Sequence, residues 1–246
     1  MAEVRELYAK NIHSSVPLLQ DVNKYILNKR GKELRTILVL LSACVPSAST
    51  TAINEDTIRF ATAMELLHNA SLMHDDVVDN SPIRRGMESV KQHWNNKLAV
   101  LCGDYYFAQI MWLLEATENR KAIDSVCSTV IAMSEGEILQ QQYIDEGNAD
   151  FNIYYDIIAR KTGKLMATSC ELGNESMRPF GEHYGMAFQL WDDINDYDDE
   201  PAIPKPPLEE LRQQKEMHSS AALSLIADYP DSPYKDAITR LVHLLK

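Results

Sequence analysis

The sequence predicts an all-α protein, a single-domain helical bundle, on three observations. Proline is absent between Pro82 and Pro179, and nine glycines in 246 residues leave long stretches without a helix breaker. Apolar residues recur at helical spacing through most of the chain. No run of alternating apolar and polar residues reads as a strand. An apolar content of 45% is ample for a buried core, and no solenoid-type repeat is present, so one domain over 1–246 is expected.

In chain order, helices are expected over 4–28 and 32–44. The segment "DTIRFATAMELLHNASLMHDD" (56–76) is apolar on nearly every face, as befits a helix surrounded by others; Asp56 or Thr57 is the candidate cap. Pro82 ends that pattern. Further helices are expected over 89–94, 98–118, 120–146, 150–173, 178–198, 207–227 and 231–245. The weakest stretch is "DDEPAIPKPPLEE", where four prolines from Pro201 to Pro207 forbid continuation of the preceding helix.

Charge narrows the function. With 36 acidic against 24 basic residues, a net −12, no nucleic acid is expected as a partner, since such binders are normally basic. "MAEVRELYAK" lacks a basic stretch followed by an apolar core, and no uninterrupted apolar run is long enough to span a bilayer. No stable membrane insertion is expected, and a cytoplasmic location is. Cys44, Cys102, Cys127 and Cys170 lie far apart without a C-x-x-C pair and read as reduced, mostly buried small apolar residues.

Against this background the clustering of acid is unexpected. "LMHDDVVD" places Asp75, Asp76 and Asp79 at i, i+1 and i+4, and "LWDDIND" places Asp192, Asp193 and Asp196 at the same spacing, each after an apolar helix. Positions four apart lie on one helix face. Their mutual repulsion costs about 0.2–0.5 kcal/mol per pair, and negative charge at a helix C-terminus opposes its dipole, so local stability does not ask for them. Hard divalent cations remove the penalty, and Mg²⁺ favours one or two carboxylates plus substrate phosphate oxygens.

Cations nearby suit such phosphates. Arg84 and Arg85 follow Pro82, and their guanidinium forks match phosphate oxygens. "RGKELR" supplies Lys32 and Arg35, with Gly31 ahead of a helix start. His68 lies two turns before Asp75, Lys161 and Thr162 stand in mid-helix, and Gln189 precedes Asp192 by three residues. No glycine-rich phosphate loop occurs, so metal bridges and cationic side chains would hold any phosphate.

Taken together, "GKELR", "ELLHNASLMHDDVVDNSPIRRG", "VLCGDYYFA", "GEILQQ", "RKTGKL" and "GMAFQLWDDINDY" resemble, in order and over roughly residues 10–200, the trans-type isoprenyl diphosphate synthases of the polyprenyl synthetase family. The resemblance implies an isoprenoid-synthase helical bundle around a central active-site cavity. It also implies a prenyltransferase that condenses isopentenyl diphosphate head-to-tail with an allylic diphosphate. Asp75, Asp76, Asp79, Asp192, Asp193 and Asp196 would bind about three Mg²⁺ ions. Arg84, Lys161, Thr162 and Gln189 would serve the allylic diphosphate; Lys32, Arg35, His68 and Arg85 would hold isopentenyl diphosphate. A homodimer is implied as well. Small residues at Ala70 and Ser71, with Phe107, Met111 and Trp112 as a deeper floor, favour a product of twenty carbons or more.

Three departures from the family pattern stand out: Gly163 after Lys-Thr, the short connection "NESMRPF", and "PAIPKPPLEEL" where a loop with a further substrate-binding lysine is normal. Lys205 is the candidate substitute. The rival readings are a non-catalytic or regulatory subunit of such a synthase, favoured by the last departure, and a class I terpene cyclase. The second-diphosphate residues Lys32, Arg35, His68 and Arg85 weigh against the cyclase.

Overall fold

A computed structural model describes residues 1–28, 31–147, 150–198 and 203–246. Its helices are α1 (Ala2–Asn11), α2 (Pro17–Asn28), α3 (Leu34–Cys44), α4 (Glu55–Val78), α5 (Val90–His93), α6 (Asn96–Glu115), α7 (Arg120–Asp145), α8 (Phe151–Ile158), α9 (Lys164–Gly173), α10 (Arg178–Asn195), α11 (Leu208–Leu225) and α12 (Pro233–His243). A hairpin of two-residue strands, β1 (Ile83–Arg84) and β2 (Met87–Glu88), is the only sheet among the described residues. The all-α expectation holds. Among the described residues no helix is long and apolar enough to cross a membrane.

Three local expectations are corrected. The helix expected over 4–28 is two helices, because Pro17 offers no N–H and disfavours a helical residue before it. Ser14 fills the break, its backbone N–H reaching Gln20 Oε1 at 2.9 Å and its hydroxyl receiving the Val16 N–H at 3.1 Å. The cap of α4 is Asn54, with Thr57 completing a capping box from the third helical position. The stretch over 150–173 is helical throughout, but Ala159–Gly163 between α8 and α9 is wound as a π-helix. Residues 199–202, within the proline-rich stretch, lie outside the described residues.

The chain divides into two compact units, Met1–Ile37 with Asn54–Arg120, and Leu38–Ile53 with Lys121–Lys246. In the first, α4 is the centre, packed by α1, α5 and α6. Met64, Leu66, Leu67 and Ala70 are wholly buried, and each large side chain contributes about 1.5–3 kcal/mol on burial. Tyr8 of α1 meets Tyr106 of α6 edge to face at 6.3 Å, and the Asn69 amide donates to the Tyr8 hydroxyl at 3.1 Å.

In the second unit α10 is the centre, packed by α9 and α11. Gly181 and Gly185 let α10 approach closely: a Cβ on Gly185 would lie 2.9 Å from Gly163 Cα, and one on Gly181 2.7 Å from Ala167 Cα. Tyr143, Tyr154, Ile157, Leu190, Ile203 and Leu211 form a core cluster at the end of α10 that bears the second acidic set. The four cysteines are unpaired, and all but Cys127 are buried, as expected; burial pushes the Cys102 thiol up to about 11.

Candidate active site

The first unit presents a cationic and acidic surface at the C-terminal end of α4. Asp75 and Asp76 lie on the last turn, and Asp79 is the C-cap, its N–H donating to the Asp75 carbonyl at 2.8 Å. Asp76 is 3% exposed, and its Oδ1 accepts from Arg84 Nε at 2.8 Å and Nη2 at 2.6 Å. Arg84 reaches it because the chain reverses in the hairpin. Arg85 (φ +52°) and Gly86 (φ +71°) are its two central residues, and positive φ at both defines the type I′ turn that suits a right-handed hairpin twist.

That turn sends the neighbouring arginines to different partners. Arg85 Nη1 donates to Asn69 Oδ1 at 3.3 Å, and the guanidinium lies flat against Gly31, where a Cβ would stand 2.7 Å from Arg85 Cζ. Gly31 is required here by close approach. Arg35 at the start of α3 contacts His68, Nη1 to Nε2 at 3.3 Å. A guanidinium has donors only, so Nε2 accepts and the ring proton resides on Nδ1. Burial, then the charges of Arg35, Arg85 and Arg84, hold the His68 imidazole well below its ordinary range, so it is neutral. Lys32 is exposed just before α3.

The second unit repeats the helix-end arrangement. Asp192 and Asp193 lie on the last turn of α10, and Asp196 is the C-cap, its N–H donating to the Asp192 carbonyl at 3.0 Å. Asp193 sits in a relay: the Tyr154 hydroxyl donates to Oδ2 at 2.5 Å, Gln189 Nε2 to Oδ1 at 3.3 Å, and the Thr162 hydroxyl to Gln189 Oε1 at 2.8 Å. Burial pushes the Asp193 carboxyl up, opposed by Tyr154, Lys205 and Gln189. Lys161 is held by Glu137 at 2.5 Å and Gln140 at 2.9 Å, and Gly136 gives it room to pass α7. The motif "GEILQQ" thus acts as a holder for Lys161.

Lys205 closes this end of the helix. Its Nζ donates to the carbonyls of Asp196 at 3.0 Å and Asp193 at 3.4 Å, and stands 3.9 Å from Asp193 Oδ1. Cations at carbonyls left open by a helix C-terminus are favoured by the dipole.

The donor set suits Mg²⁺. Each unit offers hard carboxylate oxygens at a helix end, with Asp79, Asp192 and Asp196 exposed. Among the described residues, no three His, Cys, Asp or Glu side chains gather into a metal cage. Mg²⁺ needs none, as it keeps several waters and takes substrate phosphate oxygens besides one or two carboxylates.

Of the residues expected from sequence, Arg35 with His68, Arg84 with Asp76, and Thr162 with Gln189 and Asp193 are brought together within their units. Ala70 is buried, and the Ser71 hydroxyl turns to the His68 carbonyl at 2.9 Å. The deeper floor is corrected: Trp112 is 78% exposed and Met111 also faces solvent, being on the outer side of α6, while Phe107 packs on His74 at 5.7 Å. Residues not singled out from sequence are Glu65, Asn69, Glu137, Gln140 and Tyr154. A glutamate inside the apolar run "ATAMELLH", three residues before His68, was the available signal for the first.

A helical fold carries matched aspartate triads at two helix ends, each beside cationic side chains, a donor set that suits metal-bridged anions. The profile of the polyprenyl synthetase family matches residues 16–218, and the chain belongs to that family. It is 34% identical over 205 residues to the all-trans-nonaprenyl-diphosphate synthase (geranyl-diphosphate specific) of Rhodobacter capsulatus, covering 80% of this chain and 62% of that protein. It is 33% identical over 205 residues to heptaprenyl diphosphate synthase component 2 of Bacillus subtilis, covering 78% and 57%. The chain therefore spans about three fifths of the length of these relatives. A crystal structure of a polyprenyl synthase from Caulobacter crescentus, complexed with calcium and isoprenyl diphosphate, superposes with a TM-score of 0.87 over 100% of this chain and 93% of that one at 24% identity, which establishes the fold.

Proposed function

We propose that the protein is a prenyltransferase that joins isopentenyl diphosphate head-to-tail to an allylic diphosphate, releasing pyrophosphate and a longer trans-prenyl diphosphate. The observation that carries this reading is the pair of aspartate triads, each ending a helix with its third member as the C-cap.

Asp75, Asp76, Asp79, Asp192, Asp193 and Asp196 hold about three Mg²⁺ ions. When bound, these ions supply charge stabilisation to the departing diphosphate. Arg84 and Lys161 add fixed positive charge to that group, and Gln189, oriented by Thr162, adds a donor. Lys32, Arg35 and Arg85 bind isopentenyl diphosphate without metal, and neutral His68 presents its Nδ1–H as a donor. Apolar walls exclude water from the allylic cation that the second substrate's alkene attacks. No side chain is assigned the final deprotonation.

A product of twenty carbons or more agrees with small Ala70 and Ser71, and with the nonaprenyl and heptaprenyl products in the relatives' names. We take the protein to be a cytoplasmic homodimer. The word "component" in the name of the Bacillus relative favours one second reading, a subunit that needs a partner chain.

Incubating the purified protein with isopentenyl diphosphate, allylic primers and Mg²⁺, followed by product chromatography, tests the proposal. An extended prenyl diphosphate is expected, and Asp75→Ala or Asp192→Ala should lower the rate at least about a hundredfold. A wild-type protein inert with every primer, yet binding Mg²⁺ and diphosphate, supports the subunit reading; a cyclic hydrocarbon from one substrate supports the cyclase.

A further inference from the structure

Lys205 lies in a stretch of chain that is anchored on both sides. Pro204 and Pro206 flank it, and the proline ring after each of Ile203 and Lys205 confines that residue to extended backbone. Ile203 is buried in the core cluster with Tyr154, Leu190 and Leu211. Pro206 is buried as well, and its carbonyl accepts the Tyr197 hydroxyl at 3.4 Å. The ammonium between them is thereby set against the end of α10, with its side chain 12% exposed. An ammonium has three donors and no acceptor. Its contacts here are the Asp196 carbonyl at 3.0 Å, the Asp193 carbonyl at 3.4 Å and Asp193 Oδ1 at 3.9 Å. A lysine that receives a substrate needs its donors turned outward; these face the protein.

Resting on the function proposed above, we propose that Lys205 is a resident cation of the second aspartate triad, not a substrate-binding lysine, and that it sets how tightly this triad takes a divalent metal before a diphosphate arrives. Three carboxylates and the negative pole of α10 meet at this helix end. One fixed positive charge weakens the attraction that they exert on any further cation. Because the ammonium is tied to backbone carbonyls, the Asp192 and Asp196 side chains remain exposed. Metal uptake at this end then depends on the negative charge that a diphosphate brings.

Metal titration without substrate separates this role from its rivals. Mn²⁺ suits the same carboxylate ligands as Mg²⁺, and electron paramagnetic resonance counts its free ion directly. It is titrated into the full chain, first alone and then with inorganic pyrophosphate, for wild type, Lys205→Met, Lys205→Gln and Lys205→Arg. Methionine keeps the length of the side chain, and glutamine keeps a donor for the helix-end carbonyls; both remove the charge. Each neutral variant is expected to bind Mn²⁺ alone about tenfold more tightly than wild type, and Lys205→Arg within about threefold of it. With pyrophosphate the gain should shrink, because the same charge that repels the metal attracts the anion. A bracing role alone predicts weaker Mn²⁺ binding by the neutral variants. A substrate-binding role predicts unchanged Mn²⁺ binding with a higher KM for a diphosphate substrate. Either result, in a folded Lys205→Gln or Lys205→Met protein, overturns the resident-cation role and leaves the proposed function intact. A wild-type chain that takes up no Mn²⁺ even with pyrophosphate overturns both.

Discussion

At Asp193 three neighbouring groups surround one carboxylate: Tyr154 on Oδ2, Gln189 on Oδ1, and Lys205 with its Nζ 3.9 Å from Oδ1. A carboxylate that must meet a metal in one orientation gains from such restraint, since a loosely held ligand spends binding energy on ordering. Tyr154→Phe is expected to lower kcat about tenfold and raise the Mg²⁺ concentration at half-maximal rate, with the product unchanged; hydrogen bonds to charged groups are worth about 1.5–3 kcal/mol. His68 gives a pH signature. Its folded-state value lies below that of free imidazole, so the unfolded chain takes up the proton first. The stability that neutral His68 contributes is complete above about pH 6.5 and is lost as pH falls below it. The melting temperature should drop between pH 7.5 and 5.5, more steeply than in His68→Gln, and ¹⁵N spectra at pH 7.5 should show the Nδ1–H tautomer.

At the scale of elements, the packing of α10 on the π-helical turn is the sensitive joint. Gly185→Ala would drive a methyl group into Gly163 and Met166, against backbone that cannot yield easily. A loss of roughly 2 kcal/mol, or about 4–8 °C in melting temperature, is expected from overpacking of this kind. The helices themselves were legible from the 3.6-residue period and the lack of proline over 83–178. Their joints were less so. The Pro17 break was hidden by apolar residues continuing at helical spacing, and the π-turn at Ala159–Gly163 leaves no mark on apolar periodicity. The cap of α4 fell to Asn54 because its amide oxygen reaches the Thr57 N–H, a choice that Asp56 and Thr57 mimic in composition.

For the whole molecule, the acidic triads were readable because their duplication at one spacing has no local purpose. The residues that hold the site, Asn69, Tyr154 and Gln140, were not, since each acts across a tertiary contact. Outward-facing Leu101, Met111 and Trp112 on α6, and Ile131 and Ile138 on α7, are apolar groups that a dimer would cover. Light scattering should give twice the chain mass, and Trp112→Lys should shift it toward one chain.

The in-built cations at the two helix ends bear on how the folded chain tolerates chelation. Arg84 already neutralises Asp76, and Lys205 already braces the terminus that carries Asp193, so repulsion within each triad is relieved by the polypeptide itself. A divalent cation bound there would then act as a reagent rather than a rivet. Calorimetric scans with and without EDTA should nearly superimpose until a diphosphate is added.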